Sequence, residues 1–573
     1  MLAILAVGAV TLGAIGLGTF GVRLARTTSD VFVASRAITP WWNAAAISGE
    51  YLSAASFLGI AGLQMKLGAS ALWLPVGFTA GYMALLLFVA APMRRFGAYT
   101  IPYFAEARLE APWLRRVAAA VVLIIGGFYL VPQLKGAGLT LHVVTGAPYW
   151  VGVAGVGGVV ALVVAFGGMR GITYVQAYQY WVKTFAIMVP ACVLLLHLGG
   201  LPERAALFGR ELPQAPARGL VVTLDEPTPV TFPRAAAYAV DGVAGRAAAG
   251  EERTLPAGRL TLAAGTTVPV ARGTDARVGA EWARPVADRS DASPVFVFSL
   301  LLATVLGTMG LPHILVRFYT NRDGPAARRT TVRVLGLLGL FYLFPVVYGL
   351  LGRALTPELY VTGRTDEVVL RLPEAAWPGL GGELLAALTA AGAFAAFMST
   401  ASGLLVSMAG TVSYDLWDRR GAEARPEVRA RRFRIATPLA MIVPAALALG
   451  TRALDISLLV GWAFALAAST FCPLFVLGIW WRGLTARGAA LGMGAGALIA
   501  SSAIGLSLLR DTRATTVGDA LLAQPAAVSV PVAFVTMVLV SRLDRARRPR
   551  DVEGHMRALH APEGLGLDAL RPG

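Results

Sequence analysis

The sequence predicts an all-α protein that crosses a membrane many times. Of its 573 residues, 56% are hydrophobic and only 14% are charged, and the mean hydropathy is +0.65. Soluble globular proteins carry roughly 25% charged residues, so this composition excludes that class. Apolar runs of about 20 residues, the length that spans the hydrocarbon core of a bilayer, recur along the chain. Because backbone polar groups in lipid must pair within their own segment, we expect these runs to be helices.

Thirteen apolar runs are long enough to be transmembrane helices. Arginines follow the first run and do not precede it, so we expect a retained span and not a secretion signal. The runs lie near residues 2–22, 41–63, 70–92, 117–135, 149–167, 176–199, 294–314, 332–352, 383–410, 435–450, 456–480, 487–509 and 528–541.

Arginines in alternate loops predict the orientation of the chain. Placing Arg23 and Arg26 in the cytoplasm puts the arginine-rich loops at 94–116, 317–329 and 419–434 on the same side. We therefore expect a multi-pass protein of the cell (inner) membrane, with the N-terminus extracytoplasmic and the C-terminus cytoplasmic. The net charge of +17 is then explained by arginines in the cytoplasmic loops. No nucleic-acid partner is expected, because no basic patch is interleaved with stacking aromatics.

The residue types exclude several other functions. Cys192 and Cys472 each lie in an apolar run, so neither a disulfide framework nor a metal-ligand cluster is expected. A membrane enzyme would need a nucleophile with a base, or a metal cluster, at membrane depth, and we identify neither. A sensor would need a signalling domain after the last span, but only 23 residues follow Arg550. We expect no cofactor, and no metal apart from a transported sodium ion.

Four regions follow from this pattern: 1–199 and 293–541 carry the transmembrane helices, 200–292 is an extracytoplasmic insert, and 542–573 is a cytoplasmic tail. The insert contains Pro, Gly and scattered charges with short alternating stretches, which favours β-strands. It is either a tolerated insertion without a role in transport or a regulatory or partner-binding module.

The second run contains an acidic residue at membrane depth. Glu50 lies among small and hydroxyl residues that interrupt the hydrophobic pattern, which favours an unwound turn with exposed carbonyls. Because a charge inside a membrane is costly, a functional role for Glu50 is the first hypothesis. Snorkelling or a purely structural ion pair is the alternative.

Hydroxyl groups follow one face of the run near 383–410. Ala396, Ser399, Thr400 and Ser407 recur at helical spacing, and hydroxyls with free carbonyls would form a neutral oxygen cage for a small cation. The alternative is that these hydroxyls bond the carbonyl four residues earlier, or join neighbouring helices.

A third interruption, 306–313, contains glycines and a proline at the end of an apolar run, as in a discontinuous helix. Thr308 could bond a substrate there. His313 is placed at the cytoplasmic edge, where a structural or gating role is favoured over proton relay.

At these residues the sequence resembles the acetate permease (cation/acetate symporter) branch of the sodium:solute symporter family. The resemblance covers almost all of the membrane part and implies a five-plus-five inverted helix repeat of the LeuT-like type, in which the runs near 41 and 294 are the two broken helices. The insert is longer than the usual loop of that branch. The matching stretches are 49–59, 310–318, 397–403, 461–469 and 484–488.

The resemblance also implies the site residues. Sodium would lie between the first and eighth core helices, held by carbonyls of the former and hydroxyls of the latter. The implied sodium ligands are Gly49, Leu52, Ala396, Ser399 and Thr400. The implied substrate-binding residues are Tyr51, Ser53, Ser56, Thr308, Trp462 and Phe464, and the coupling or gating candidates are Glu50 and His313.

The sequence therefore predicts a secondary active symporter that couples sodium influx to uptake of a small monocarboxylate, with acetate as the first candidate. Proton coupling through Glu50 or His313 is an alternative mechanism. Propionate, pyruvate or an amino acid is an alternative cargo, and a passive solute channel is an alternative class.

Overall fold

The computed structural model describes most of the chain. Arg26, residues 419–425 of the arginine-rich loop and tail residues 562–573 lie outside the described part. The described ranges are 1–24, 39–98, 100–199, 211–274, 276–286, 292–318, 321, 323–417, 426–452, 454–510 and 516–561.

The described chain is helical apart from one β-rich segment in its middle. Helices α1 to α8 are Leu2–Leu24, Pro40–Tyr51, Ile60–Leu67, Trp73–Phe88, Ala90–Phe96, Ile101–Leu109, Pro112–Thr145 and Tyr149–His197. Strands β1 to β7 are Leu220–Leu224, Thr228–Thr231, Ala236–Val240, Val243–Ala247, Glu252–Leu255, Gly258–Leu262 and Val270–Ala271. Helices α9 to α22 are Gly279–Ala283, Ala292–Gly310, Pro312–Phe318, Gly324–Tyr342, Pro345–Leu355, Glu358–Thr362, Val368–Ala376, Leu380–Gly410, Pro426–Gly450, Ile456–Trp480, Ala486–Arg510, Val517–Ala523, Ala526–Leu543 and Val552–His560.

Twelve stretches of helix among the described residues are long and apolar enough to span a membrane. The sequence predicts thirteen spans, and this number stays a prediction. The stretch 55–88 counts as one of the twelve, although the chain turns within it at Gly68, where φ is +62°. Two spans, Leu380–Leu416 and Ile456–Trp480, are the most deeply buried and form the centre of the bundle. The elements around these two spans therefore position the candidate site.

Two helices are broken in the middle of the bundle, at the positions that the sequence predicts. The first break separates α2 from a π-helical turn at Ala55–Gly59 that leads into α3. The second lies at Leu311, between α10 and α11, where Pro312 has no N–H to continue the hydrogen-bond ladder. When the stretch 55–88 is divided at Gly68, each break opens a set of five spans, the first set ending with α8 and the second with α18.

The first break is stabilised by a side chain from another helix. The amide of Gln133 on α7 accepts a hydrogen bond from the backbone N–H of Ala54, at 2.9 Å from oxygen to nitrogen. Gln133 is fully buried. An unpaired N–H at this depth would be costly, so Gln133 allows the helix to leave regular geometry.

The middle segment forms two antiparallel sheets, with strand orders β1-β6-β3-β4 and β5-β2-β7. It packs on the end of α3, where Gly68 lies against Trp282 and the indole N–H of Trp73 donates to the Pro285 carbonyl at 2.8 Å. Asp225 pairs with Arg364 at 2.6 Å. The strands agree with the expected β-rich insert, whose boundaries stay a prediction because 200–210 and 287–291 are not described.

Helix α10 packs closely along α18, and this contact offers a test of the bundle. A Cβ atom added at Gly307 would lie 2.5 Å from the Phe464 carbonyl oxygen. We expect Gly307→Ala to lower the free energy of unfolding by about 1–3 kcal/mol through overpacking, measured as a lower melting temperature of the purified protein in detergent.

The matched control is Gly339→Ala on the exposed face of α12, where an added Cβ meets nothing within 4 Å. Alanine has the higher helix propensity, so this melting temperature should stay constant or rise slightly. Equal melting temperatures for the two variants would contradict the close packing of α10 on α18.

Candidate functional site

Oxygen atoms from the first broken helix and from α16 converge beside the break. The Ser399 hydroxyl lies 2.6 Å from the Gly49 carbonyl oxygen and 3.0 Å from that of Ala396. The Leu52 carbonyl and the Ser399 hydroxyl both accept a hydrogen bond from the Lys183 amine. All four residues are buried. Four of the five residues predicted as sodium ligands thus surround one point, which we call the cation cluster.

Thr400 lies next to the cation cluster. Its hydroxyl donates to the Glu50 carbonyl at 2.5 Å, one residue beyond Gly49 on α2. Ser402, in contrast, bonds the Met398 carbonyl of its own helix at 2.6 Å, as hydroxyls in membrane helices commonly do. Both Ser399 and Thr400 therefore reach across to the broken helix, and Ser402 does not.

A lysine that the sequence analysis overlooked lies at the centre of the cluster. The Lys183 amine on α8 donates to the Leu52 carbonyl at 2.6 Å, to the Ser399 hydroxyl at 2.8 Å and to the Gly49 carbonyl. Lys183 is fully buried. The signal that could have found it is the one that identified Glu50, a charged residue inside an apolar run.

Glu50 forms an ion pair with a second overlooked residue. Its carboxylate accepts from the Arg317 guanidinium at 2.6 Å, and both side chains are 1% exposed. The guanidinium also donates to the Thr173 hydroxyl at 2.7 Å and to the Gln176 side chain. The sequence analysis placed Arg317 in a cytoplasmic loop, which is wrong because the residue lies at the end of α11 inside the bundle.

On the other side of the break, aromatic rings surround a set of hydroxyl groups. The Tyr51 hydroxyl lies 2.9 Å from the Thr308 hydroxyl. The centroid of the Tyr51 ring lies 4.5 Å from that of Tyr82 and 6.2 Å from that of Phe464. Phe78 lies 4.8 Å from Phe464, between the two broken helices. We call these residues, together with Tyr129 and Tyr342, the aromatic cluster.

The predicted substrate residues divide between this cluster and other places. Ser56 joins the cluster, because its hydroxyl lies 3.2 Å from that of Tyr342. Ser53 is buried within the break itself. Trp462 is on the opposite side of α18 from Phe464, and its indole donates to the Ala523 carbonyl at 3.0 Å. The structure thus brings Tyr51, Ser56, Thr308 and Phe464 together and directs Trp462 away.

His313 lies beside the aromatic cluster, one helical turn before the end of the span at Arg317; its position at the cytoplasmic edge stays a prediction. Its ring centroid is 5.2 Å from Tyr129, which in turn is 5.6 Å from Phe464. Residue His313 is 1% exposed, and neither ring nitrogen has a hydrogen-bond partner among the described residues. A buried polar ring of this kind is available to bind a polar group.

The two clusters adjoin the same break, Leu52 to Ala54. Leu52 contributes its carbonyl to the cation cluster, and Tyr51 and Ser56 of the aromatic cluster flank the break in the chain. On one side, neutral oxygens converge in the geometry that suits a monovalent cation. On the other side, hydroxyl donors are surrounded by apolar rings, which suits a small molecule with one polar end. The arrangement can therefore bind a cation and a small solute at adjacent positions of the same broken helix.

Comparison with known proteins shows relatives along most of the chain. A curated relative, the uncharacterized symporter YwcA of Bacillus subtilis (strain 168), is 29% identical over 523 residues, which are 90% of this chain and 89% of that protein. A solved structure of a Na+-coupled sialic acid symporter, substrate-bound and outward-open, has a TM-score of 0.67 at 13% identity, covering 95% of this chain and 98% of that one. At that identity the likeness shows the fold alone.

The family model of the sodium:solute symporter family matches residues 31–210 and 262–496. The interruption, 211–261, contains strands β1 to β5, so most of the β-rich segment lies outside the family match. Members of this family are transporters with multi-pass helical folds, and sodium is their co-substrate. Because the match covers well over half of its residues, the chain belongs to the sodium:solute symporter family.

Proposed function

We propose that this symporter couples sodium influx to uptake of a small monocarboxylate, with acetate as the first candidate, across the cell membrane. The observation that carries the proposal is that the cation cluster and the aromatic cluster adjoin the same break, at Leu52 to Ala54. Gly49, Leu52, Ala396, Ser399 and Thr400 are the proposed sodium ligands.

The buried charges support an anionic substrate. The group contains one carboxylate, Glu50, and two basic side chains, Arg317 and Lys183, so basic groups are in excess beside the break. A substrate with one carboxylate would neutralise this excess. In the low dielectric of the bundle interior, such compensation is strongly favourable.

The aromatic cluster supports a small substrate with an apolar end. A carboxylate could accept hydrogen bonds from Tyr51 and Thr308, whose hydroxyls are 2.9 Å apart, while Phe78 and Phe464 would contact the methyl group. Rings this closely spaced favour a substrate of a few heavy atoms, as acetate is. Propionate and pyruvate differ from acetate by few atoms and stay alternatives.

A shared break explains coupling between the two ligands. A cation bound to the Leu52 carbonyl would order the break and thereby fix Tyr51 and Ser53 for the substrate. Binding of either ligand then lowers the ordering cost for the other, which is positive cooperativity. The ion pair of Glu50 with Arg317 argues against the alternative in which Glu50 exchanges protons during transport.

The first test is uptake of labelled acetate into proteoliposomes with an imposed inward sodium gradient. We expect accumulation above equilibrium for the wild type, which also excludes a passive channel. The double variant Ser399→Ala, Thr400→Ala should lose at least about 90% of this accumulation, because it removes both side-chain oxygens at the cation cluster.

The matched control is Ser402→Ala, which removes a buried hydroxyl from the same helix, bonded only within that helix. Its uptake should stay close to that of the wild type. Uptake that follows a proton gradient, ignores sodium and survives the double substitution would sink the sodium assignment.

A second test concerns the aromatic cluster. We expect Tyr51→Phe and Thr308→Val each to raise KM for acetate about tenfold, or about 1.4 kcal/mol, because each removes a hydroxyl proposed to bond the carboxylate. The sodium concentration for half-maximal uptake should change much less.

Thr304→Val is the matched control for the second test. The Thr304 hydroxyl lies one turn earlier on α10 and bonds the Leu300 carbonyl at 2.8 Å. Unchanged KM in both cluster variants would place the carboxylate elsewhere.

A further inference from the structure

The Lys183 amine occupies the position proposed for sodium. We propose that its ammonium group and a sodium ion are alternative occupants of the cation cluster, so that Lys183 sets the sodium affinity of the transporter. This inference rests on the proposed cation site and names a residue that controls it. Sodium can bind the cluster only when the Lys183 amine leaves it.

The contacts of the amine are the first reason. Its three acceptors are the Gly49 carbonyl, the Leu52 carbonyl and the Ser399 hydroxyl, all of them proposed sodium ligands. Carbonyl and hydroxyl oxygens accept hydrogen bonds from an ammonium group and can also ligate a sodium ion, since both are compact monovalent cations. The amine therefore satisfies the same oxygens that a sodium ion would need.

Charge is the second reason. A sodium ion at these oxygens would lie within about 3 Å of the ammonium group, where like charges in a buried site repel strongly. The Glu50 carboxylate cannot offset this repulsion fully, because it is already paired with Arg317 at 2.6 Å. Simultaneous occupancy by both cations is therefore unfavourable.

The use of lysine in this chain is the third reason. Only three of the 50 basic residues are lysines, and all three are buried. Lys66 lies 2.8 Å from Asp455 and Lys135 lies 3.7 Å from Asp366, so each has a carboxylate partner. Lys183 has none within 4 Å among the described residues, and its partners are neutral oxygens, as expected of a tethered cation in a cation site.

The backbone of α8 explains how the side chain reaches the cluster. Gly49 has no Cβ, and one added there would collide with the Gln176 carbonyl, so α2 and α8 approach closely. Lys183 lies seven residues after Gln176, two turns along the same face of α8. Its side chain thus extends along the broken helix to the carbonyls of Gly49 and Leu52.

Binding of ²²Na+ to the purified protein in detergent tests the proposal. Lys183→Ala removes the competing cation and leaves space, so we expect its dissociation constant for sodium to be at least about tenfold lower than that of the wild type. Adding Ser399→Ala to Lys183→Ala should reverse the gain, because the sodium would use the Ser399 hydroxyl.

Lys66→Ala is the matched control, since it removes a buried ammonium group from the far end of α3, where the partner is Asp455. Its sodium affinity should equal that of the wild type. Folded Lys183→Ala protein that binds sodium no more tightly than the wild type would overturn the proposal.

A second measurement needs only the wild type, in case Lys183→Ala does not fold. Reductive methylation with formaldehyde and cyanoborohydride, followed by peptide mass spectrometry, reports on each of the three lysines separately. We expect 300 mM NaCl, compared with choline chloride, to increase methylation of Lys183 at least about threefold, while Lys66 and Lys135 serve as internal references. Methylation of Lys183 that is indifferent to sodium contradicts displacement.

These measurements do not depend on the cargo. If acetate is not transported but Lys183→Ala gains sodium affinity, the proposed substrate fails and the role of Lys183 stands. If acetate uptake is driven by sodium but neither readout at Lys183 responds, the substrate stands and the competition is refuted.

Discussion

The break at Leu52 to Ala54 is the constraint on which the rest of the site depends. Backbone groups that leave helical geometry inside a membrane must find partners in the protein, since lipid offers none. Gln133 accepts from the Ala54 N–H, and Lys183 donates to the Leu52 carbonyl. Three helices, α7, α8 and α16, therefore have to approach the break, and the sites for a cation and for a solute arise on its two sides.

Charge balance around the break is the second organising feature. Two basic side chains, Arg317 and Lys183, are buried together with one carboxylate, Glu50, so one more acidic group would balance them. A monocarboxylate provides it, and a free sodium ion beside Lys183 does the opposite. The balance between basic and acidic groups thus bears on both proposals: the carboxylate cargo, and the competition between Lys183 and sodium at the cation cluster. It also gives Arg317 a structural role, because Glu50 without it would be an unpaired buried charge.

The β-rich segment follows different rules from the helical core. The family match is interrupted at 211–261, and the strands of the segment pair with one another, β1 with β6 and β2 with β5 and β7. The segment contacts the helical part through Trp282 at Gly68 and through the ion pair of Asp225 with Arg364, and neither contact lies at the break. The residues of both clusters therefore belong to the helical core.

The sequence by itself determined the membrane class, the broken helices and the hydroxyl face of α16, while Gly49 and Leu52 were implied by the family resemblance. Those features depend on local properties: apolar length, glycines and prolines within it, and hydroxyls such as Ser399 on one helix face. Only the tertiary structure decided which charges meet. Arg317 appeared to belong to a loop, Lys183 was one polar residue in an apolar run, and Trp462 and Phe464 were equal candidates. Their positions depend on how α8, α11 and α18 rotate against the break, and no local pattern encodes those rotations.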